Sequence, residues 1–272
     1  MTDNNEASFF FLPPENTVCT ETFFLFLSDY KITIDSFFFM VNLAHRADTA
    51  SLAVSKALLA FAETDEERSE LQAGIDNPNT LASKLNKFSE VTSKNIVQNT
   101  VDGFLWYVSN IVQQSMRRRP EMIKSGETVK IEEILEFSSK RELTNYLIDK
   151  KINSLSYGGL KQVQRYLQDT LGINPFREQL DNDLLRTFVE VRNIHSHNRG
   201  IVNKVFLDRV SDILGKNGIR FKIGKKAHLD YDDLTDFTKC CIETALYIDQ
   251  QASIKFKVKR KKLSTWRGTT KV

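Results

Sequence analysis

Val101, Phe104, Leu105, Val108, Ile111 and Val112 recur three and four residues apart. That spacing places them on one face of an α-helix and predicts a long helix over residues 91–117. Leu160, Val163, Leu167 and Leu171 form a second stripe, closed by Gly172 and Pro175. Leu184, Leu185, Phe188, Val189 and Val191 form a third. Further helices are expected over residues 139–153, 203–214 and 232–254. Only one segment alternates as a strand does. Ile219, Phe221 and Ile223 are separated by Arg220 and Lys222, and Gly224 permits a turn before His228–Tyr231. This predicts a single short β-hairpin.

Local signals support these helices. Thr64 to Glu67 and Ser139 to Glu142 each have the form of a capping box, a hydroxyl followed three residues on by a carboxylate. Arg117, Arg118 and Arg119 precede Pro120, so cations meet the negative end of a helix dipole where proline stops the helix. Asp181, Asn182 and Asp183 are expected to cap the helix of the third stripe. Asp232, Asp233 and Asp236 fall in the first turns of the last helix, where acids favour the dipole, and are not read as a metal site. The phenylalanine runs at 9–11, 23–26 and 37–39 are interrupted by polar residues or proline and read as core or interface anchors. The best internal boundary is Asp76-Asn77-Pro78-Asn79. The expected architecture is an all-α helical bundle with one short β-hairpin insertion and an N-terminal helical extension. Residues 1–90 form that extension, 91–255 the bundle and 256–272 a basic tail.

Composition narrows the class. With 11 glycines and 5 prolines in 272 residues, the chain has few helix breakers. Cys19, Cys240 and Cys241 make neither a disulfide framework nor a CxxC metal pair, so a reducing cytoplasm is the expected compartment. No apolar run approaches the roughly 20 residues that cross a bilayer, and no membrane partner is expected. Nucleotide-loop, dinucleotide, zinc-protease and serine-hydrolase motifs are absent from the sequence, and no cofactor or metal is expected. The net charge of +3 is unevenly spread. Residues 255–271 hold eight Lys or Arg and no acid, leaving 30 basic against 35 acidic residues before them. A basic tail suits a polyanion. Lys257, Lys259, Arg260, Lys261 and Lys262 are therefore candidate RNA-binding residues, with Trp266 as a docking anchor or a base-stacking group.

One stretch departs from simple amphipathicity. In FVEVRNIHSHNRG, residues 188–200, Arg192 lies within the apolar stripe, and His195 lies on it too. A guanidinium on a burying face is costly unless it is paired or offered to an anion. It is expected either to meet a carboxylate inside or to point into a cleft or subunit interface. Asn193 and His197 are four apart and share the adjoining face. Gly200 is the expected stop, which places His197 in the last turn. Tyr157, Arg165 and Tyr166, on the preceding helix, are further candidates to face the same cleft.

Arg192-Asn193-Ile194-His195-Ser196-His197 resembles the R-N-x-x-x-H form of the Rx4–6H signature of HEPN domains, and the likeness extends over about residues 91–255. The resemblance implies an all-α fold and a metal-independent endoribonuclease that acts as a homodimer through the motif helix. It assigns catalysis to Arg192, Asn193 and His197, while His195 is not required by the motif. RNA supplies the nucleophile through its 2′-OH. An imidazole titrating near neutrality can move the protons, and a guanidinium can hold the charge that develops on phosphorus. The expected product is a 2′,3′-cyclic phosphate. A toxin or antiviral-defence effector, with RNA as substrate and an antitoxin or other regulatory partner, is one expected setting. The alternative is a non-catalytic HEPN-like module for dimerisation or for binding RNA or a nucleotide.

Overall fold

A computed structural model describes residues 10–76, 80–123, 130–157, 159–217 and 220–267. Among the described residues the chain is all-α apart from two three-residue strands. Strand β1 (Val18–Thr20) leads into helix α1 (Glu21–Leu59), followed by α2 (Asp65–Asp76) and α3 (Leu81–Lys87). Helix α4 (Ser89–Arg118) ends in a 3₁₀ turn at Pro120–Met122, and α5 (Ile131–Leu135), α6 (Lys140–Tyr157) and α7 (Gly159–Arg165) come next. A π-helical turn at Tyr166–Thr170 continues α7. Helices α8 (Gln179–His197), α9 (Lys204–Asn217) and α10 (Tyr231–Lys255), strand β2 (Arg260–Lys262) and helix α11 (Leu263–Arg267) complete the order. No helix among the described residues is long and apolar enough to cross a membrane.

The chain divides into two compact units, one of residues 1–30 with 97–272 and one of residues 31–96. In the smaller unit both Asp48 carboxylate oxygens accept backbone N–H groups at the start of α3, from Leu81 at 2.7 Å and Ala82 at 2.9 Å. This satisfies orphan donors of that helix. The capping box at α2 closes, with Glu67 N donating to Thr64 Oγ1 at 3.1 Å and Thr64 N to Glu67 at 3.4 Å. Asn77, Pro78 and Asn79 of the expected boundary lie outside the described residues.

The larger unit is built on aromatic packing. The rings of Phe23 and Phe26 each lie 5.9 Å from that of Tyr107, one edge-on and one stacked. Phe188 of α8 stacks on Phe237 of α10 at 5.2 Å. Phe10, Phe23, Phe24 and Phe26 are core residues here, whereas Phe39, in the smaller unit, is 67% exposed. Such ring pairs add a modest term to the area they bury.

Two expectations about local structure need correcting. The two strands are not neighbours in sequence. Val18, Cys19 and Thr20 pair antiparallel with Lys262, Lys261 and Arg260. In the expected hairpin region Ile219 lies outside the described residues, and the described part holds a single bridge, Ile201 to Lys226. Phe221 packs edge-on against Phe206 at 5.1 Å, so the alternating apolar residue is used for packing on α9 and not for a ladder. The second correction concerns α8. It starts at Gln179 and not after Asp181–Asp183, and its N-cap residue Glu178 makes no side-chain cap bond. Asp183 lies a turn inside, buried, and accepts from Gln179 Nε2 at 2.8 Å.

A buried carboxylate ties the strand pair to α10. Asp249 is fully buried and accepts from Thr20 N at 2.9 Å, from Thr20 Oγ1 and from Tyr107 Oη at 3.4 Å. Burial raises its pKa from 3.8 to about 6, although the Thr20 and Tyr107 bonds and the Arg260 charge oppose the rise. A raised folded-state pKa means that the folded chain holds this proton more tightly than the unfolded chain does. The resulting stabilisation is complete below the unfolded value and declines as pH rises through the folded one. Between pH 4 and 7 the wild type is therefore expected to lose stability relative to Asp249→Asn, by about 2–3 kcal/mol. Urea midpoints of both proteins across that range check the sign.

Candidate functional site

The motif helix carries its functional groups on one edge. Leu185, Phe188, Val189, Val191 and Ile194 of α8 are buried, at spacings that keep one face against the core. Arg186, Glu190, Asn193 and His197 follow one another at four, three and four residues, so they share a single stripe beside that face. The helix ends in a tight reversal. Gly200 N and Asn198 N both donate to Ile194 O, at 3.0 and 2.9 Å. Arg199 and Gly200 have φ of 55° and 76°. Glycine is required at the second of these. A Cβ on Gly200 would fall 2.7 Å from His195 Nδ1, so the close approach of backbone and imidazole depends on its absence.

Arg192, Asn193 and His197 line one cleft of about 750 Å³. Its other walls come from Leu105 of α4, Gly159, Leu160 and Lys161 of α7, and Arg209 of α9, with Arg186, Val189 and Glu190 from α8. Gly159 has φ +69°, which lets α7 begin directly after α6 and brings its first turn to the cleft. Lys161, Arg186, Arg192 and Arg209 face a single lining carboxylate, Glu190, which pairs with Arg209 at 3.2 Å. Lys161 and Arg186 have no ion-pair partner among the described residues. The cleft is thus net positive and suited to a phosphate.

Of the two alternatives expected for it, the guanidinium of Arg192 takes the second and lines a cleft. One terminal nitrogen pairs with Asp102 of α4, and the other donates to Asn193 Oδ1 at 3.2 Å. Its Nε is buried and unpartnered among the described residues. The carboxylate is not internal, because Asp102 is 51% exposed and the Arg192 side chain 26%. Water reaches the Asp102 side of the pair, so an incoming phosphate can compete for the cation. Asn193 orients Arg192. His197 is exposed at the mouth, while His195 is half-buried against Gly200 and does not line the cleft.

Several expected participants lie elsewhere. Tyr166 is buried and donates to Met122 O at 2.8 Å, and burial raises its pKa to about 12. It sits in the π turn and does not line the cleft. Arg165 does not line the cleft, and the side chain of Tyr157 lies outside the described residues. The tail is not a free polybasic arm. Lys255 Nζ donates to Gly172 O at 3.0 Å, Phe256 is buried, and Arg260, Lys261 and Lys262 form β2. Lys261 lies over the Trp266 ring at 4.6 Å, and Trp266 Nε1 donates to Cys19 O at 3.1 Å. Trp266 is therefore a docking anchor, and its ring is not available for a base. Lys257, Lys259, Arg260 and Lys262 are exposed, but none of the five candidate tail cations joins the cleft. Residues 268–272 lie outside the described residues.

The remaining chemistry is sparse. Cys19, Cys240 and Cys241 are buried and free, and burial raises the first two to about 12, so these thiols are poor nucleophiles. Among the described residues no group of three or more His, Cys, Asp or Glu is placed to hold a metal ion. Fold and site together define an all-α protein with a basic Arg/His cleft at the C-terminal end of its motif helix. Comparison with family models, with curated proteins and with solved structures finds no match for this chain.

Proposed function

We propose that the protein is a metal-independent endoribonuclease of HEPN type, acting as a homodimer through α8, in the setting of a toxin or phage-defence effector. The observation that carries this reading is that Arg192, Asn193 and His197 share one positively lined cleft. In the proposed reaction the substrate's 2′-OH attacks the adjacent phosphorus. One His197 takes the proton from that hydroxyl, and the His197 of a second copy gives one to the departing 5′-oxygen. Arg192 binds the non-bridging oxygens as charge builds, exchanging Asp102 for phosphate, while Asn193 keeps the guanidinium in place. The products are a 2′,3′-cyclic phosphate and a 5′-hydroxyl. Two facing copies supply the two imidazoles that a single cleft lacks. The test is RNA cleavage by purified protein in EDTA, with the product end identified by mass. Cleavage abolished by EDTA, or ends carrying 5′-phosphate, would overturn this mechanism.

The exposed cations near β2 form a second proposed RNA contact. Replacing Lys257, Lys259 and Lys262 together by Gln removes charge without touching Phe256, Leu263 or Trp266. RNA affinity at low salt is expected to fall by about ten-fold, and the slope of log affinity against log salt to flatten by about two. An unchanged slope by fluorescence anisotropy would assign these lysines no role in binding.

A further inference from the structure

A second cavity, of about 340 Å³, lies among α4, α7 with its π turn, α8 and α10. We propose that it binds a small, uncharged, largely apolar molecule with one hydrogen-bonding group; Leu105, Gly159 and Leu160 form a wall it shares with the Arg/His cleft. Phe104, Val108, Val163, Leu167, Leu185 and Ile248 form its walls, and all six are buried. No Lys, Arg, Asp, Glu or His lines it. A charged ligand would lose its water there and gain no counter-charge, which selects a neutral one. Three polar side chains interrupt the apolar wall, Ser109, Gln164 and Thr244. Gln164 Nε2 donates to Asn182 Oδ1 at 3.3 Å, and its carbonyl oxygen can accept from a further donor. Ser109 has no hydrogen-bond partner among the described residues. An apolar enclosure with a few placed polar groups is the usual form of a small-molecule site, and this volume lies within the usual range.

The wall is locally non-standard. The π turn at Tyr166–Thr170 carries Leu167 into the cavity, and such turns occur often at ligand sites. Trp106, 44% exposed, is part of the lining and marks where the cavity reaches the surface.

The probe is N-phenyl-1-naphthylamine, which is neutral, has a single N–H and fluoresces strongly when removed from water. Titrated into the full chain it is expected to bind at one site per chain. Val163→Trp, which fills the cavity, should weaken binding at least ten-fold with the circular dichroism spectrum retained. Ser109→Phe, nearer the surface, provides the same block should the first variant fail to fold. The sulfonated analogue 8-anilino-1-naphthalenesulfonate has the same ring skeleton with a negative charge. Its binding at the position blocked by these variants should be at least ten-fold weaker. Absence of a fluorescence rise with the neutral probe would overturn the proposal. A rise that both filling variants leave unchanged would also overturn it, as would equal, variant-sensitive binding of the sulfonate.

Discussion

Substituting His197 by alanine is expected to lower RNA cleavage by about 10²–10⁴-fold while leaving the urea midpoint within experimental error, because proton transfer by a placed side chain contributes a factor of that size. The side chain is exposed at the end of α8 and has no hydrogen-bond partner among the described residues, so its loss removes chemistry without removing packing. Arg192→Ala is expected to reduce cleavage by about 10²–10³-fold, the range seen when one charge-stabilising donor is lost. It also leaves Asp102 without its cation, but Asp102 is half-exposed and water can solvate it. The dimer makes a stronger prediction. Wild-type chains mixed with His197→Ala chains form hybrid dimers. Each hybrid keeps only one His197, so either the base or the acid is missing and activity should fall as the square of the wild-type fraction. A fall in simple proportion to that fraction, although subunits exchange, would refute a composite site. A folded, dimeric wild type that binds RNA and leaves it intact under all conditions would favour the binding module instead.

The residues most visible in the sequence were those on a single helix. Arg192, Asn193 and His197 stand out because a cation interrupts an apolar stripe and a polar pair adjoins it, and all three line the same cleft. Arg186 and Glu190 belong to that stripe by spacing alone and could have been named with them. Asp102, Lys161 and Arg209 could not. They come from α4, α7 and α9, and no local pattern indicates that Asp102 meets a residue ninety positions later. Fold legibility divides the same way. Helices α4, α7 and α8 follow from apolar periodicity, and the capping residues Thr64 and Ser139 act as their spacing suggests. The strand pair was illegible, because three residues carry almost no pattern and Val18 finds its partner at Lys262. Beside it, the run from Lys257 to Lys262 reads as a basic tail, while Leu263 and Trp266, three apart, turn one face of α11 inward.

That inward face makes the C-terminal segment a structural part of the larger unit. Ending the chain at Ile254 is expected to yield a protein that is unfolded or insoluble. The cut would remove Phe256, Leu263 and Trp266, each no more than 5% exposed. Truncating a buried large side chain costs about 2–5 kcal/mol, so losing three approaches the whole stability of an ordinary domain, about 5–15 kcal/mol. It would also strip β1 of its pairing partner and leave Cys19 O without the Trp266 indole. The single substitution Trp266→Ala isolates one share of this and is expected to cost about 3–5 kcal/mol. Its effect should appear as a large fall in the urea midpoint followed by circular dichroism. The lysine-to-glutamine triple variant should leave that midpoint nearly unchanged, since exposed charges contribute little. Should the chain ending at Ile254 unfold at the wild-type midpoint, β2 and α11 would be dispensable to the fold and Trp266 would be free for another partner.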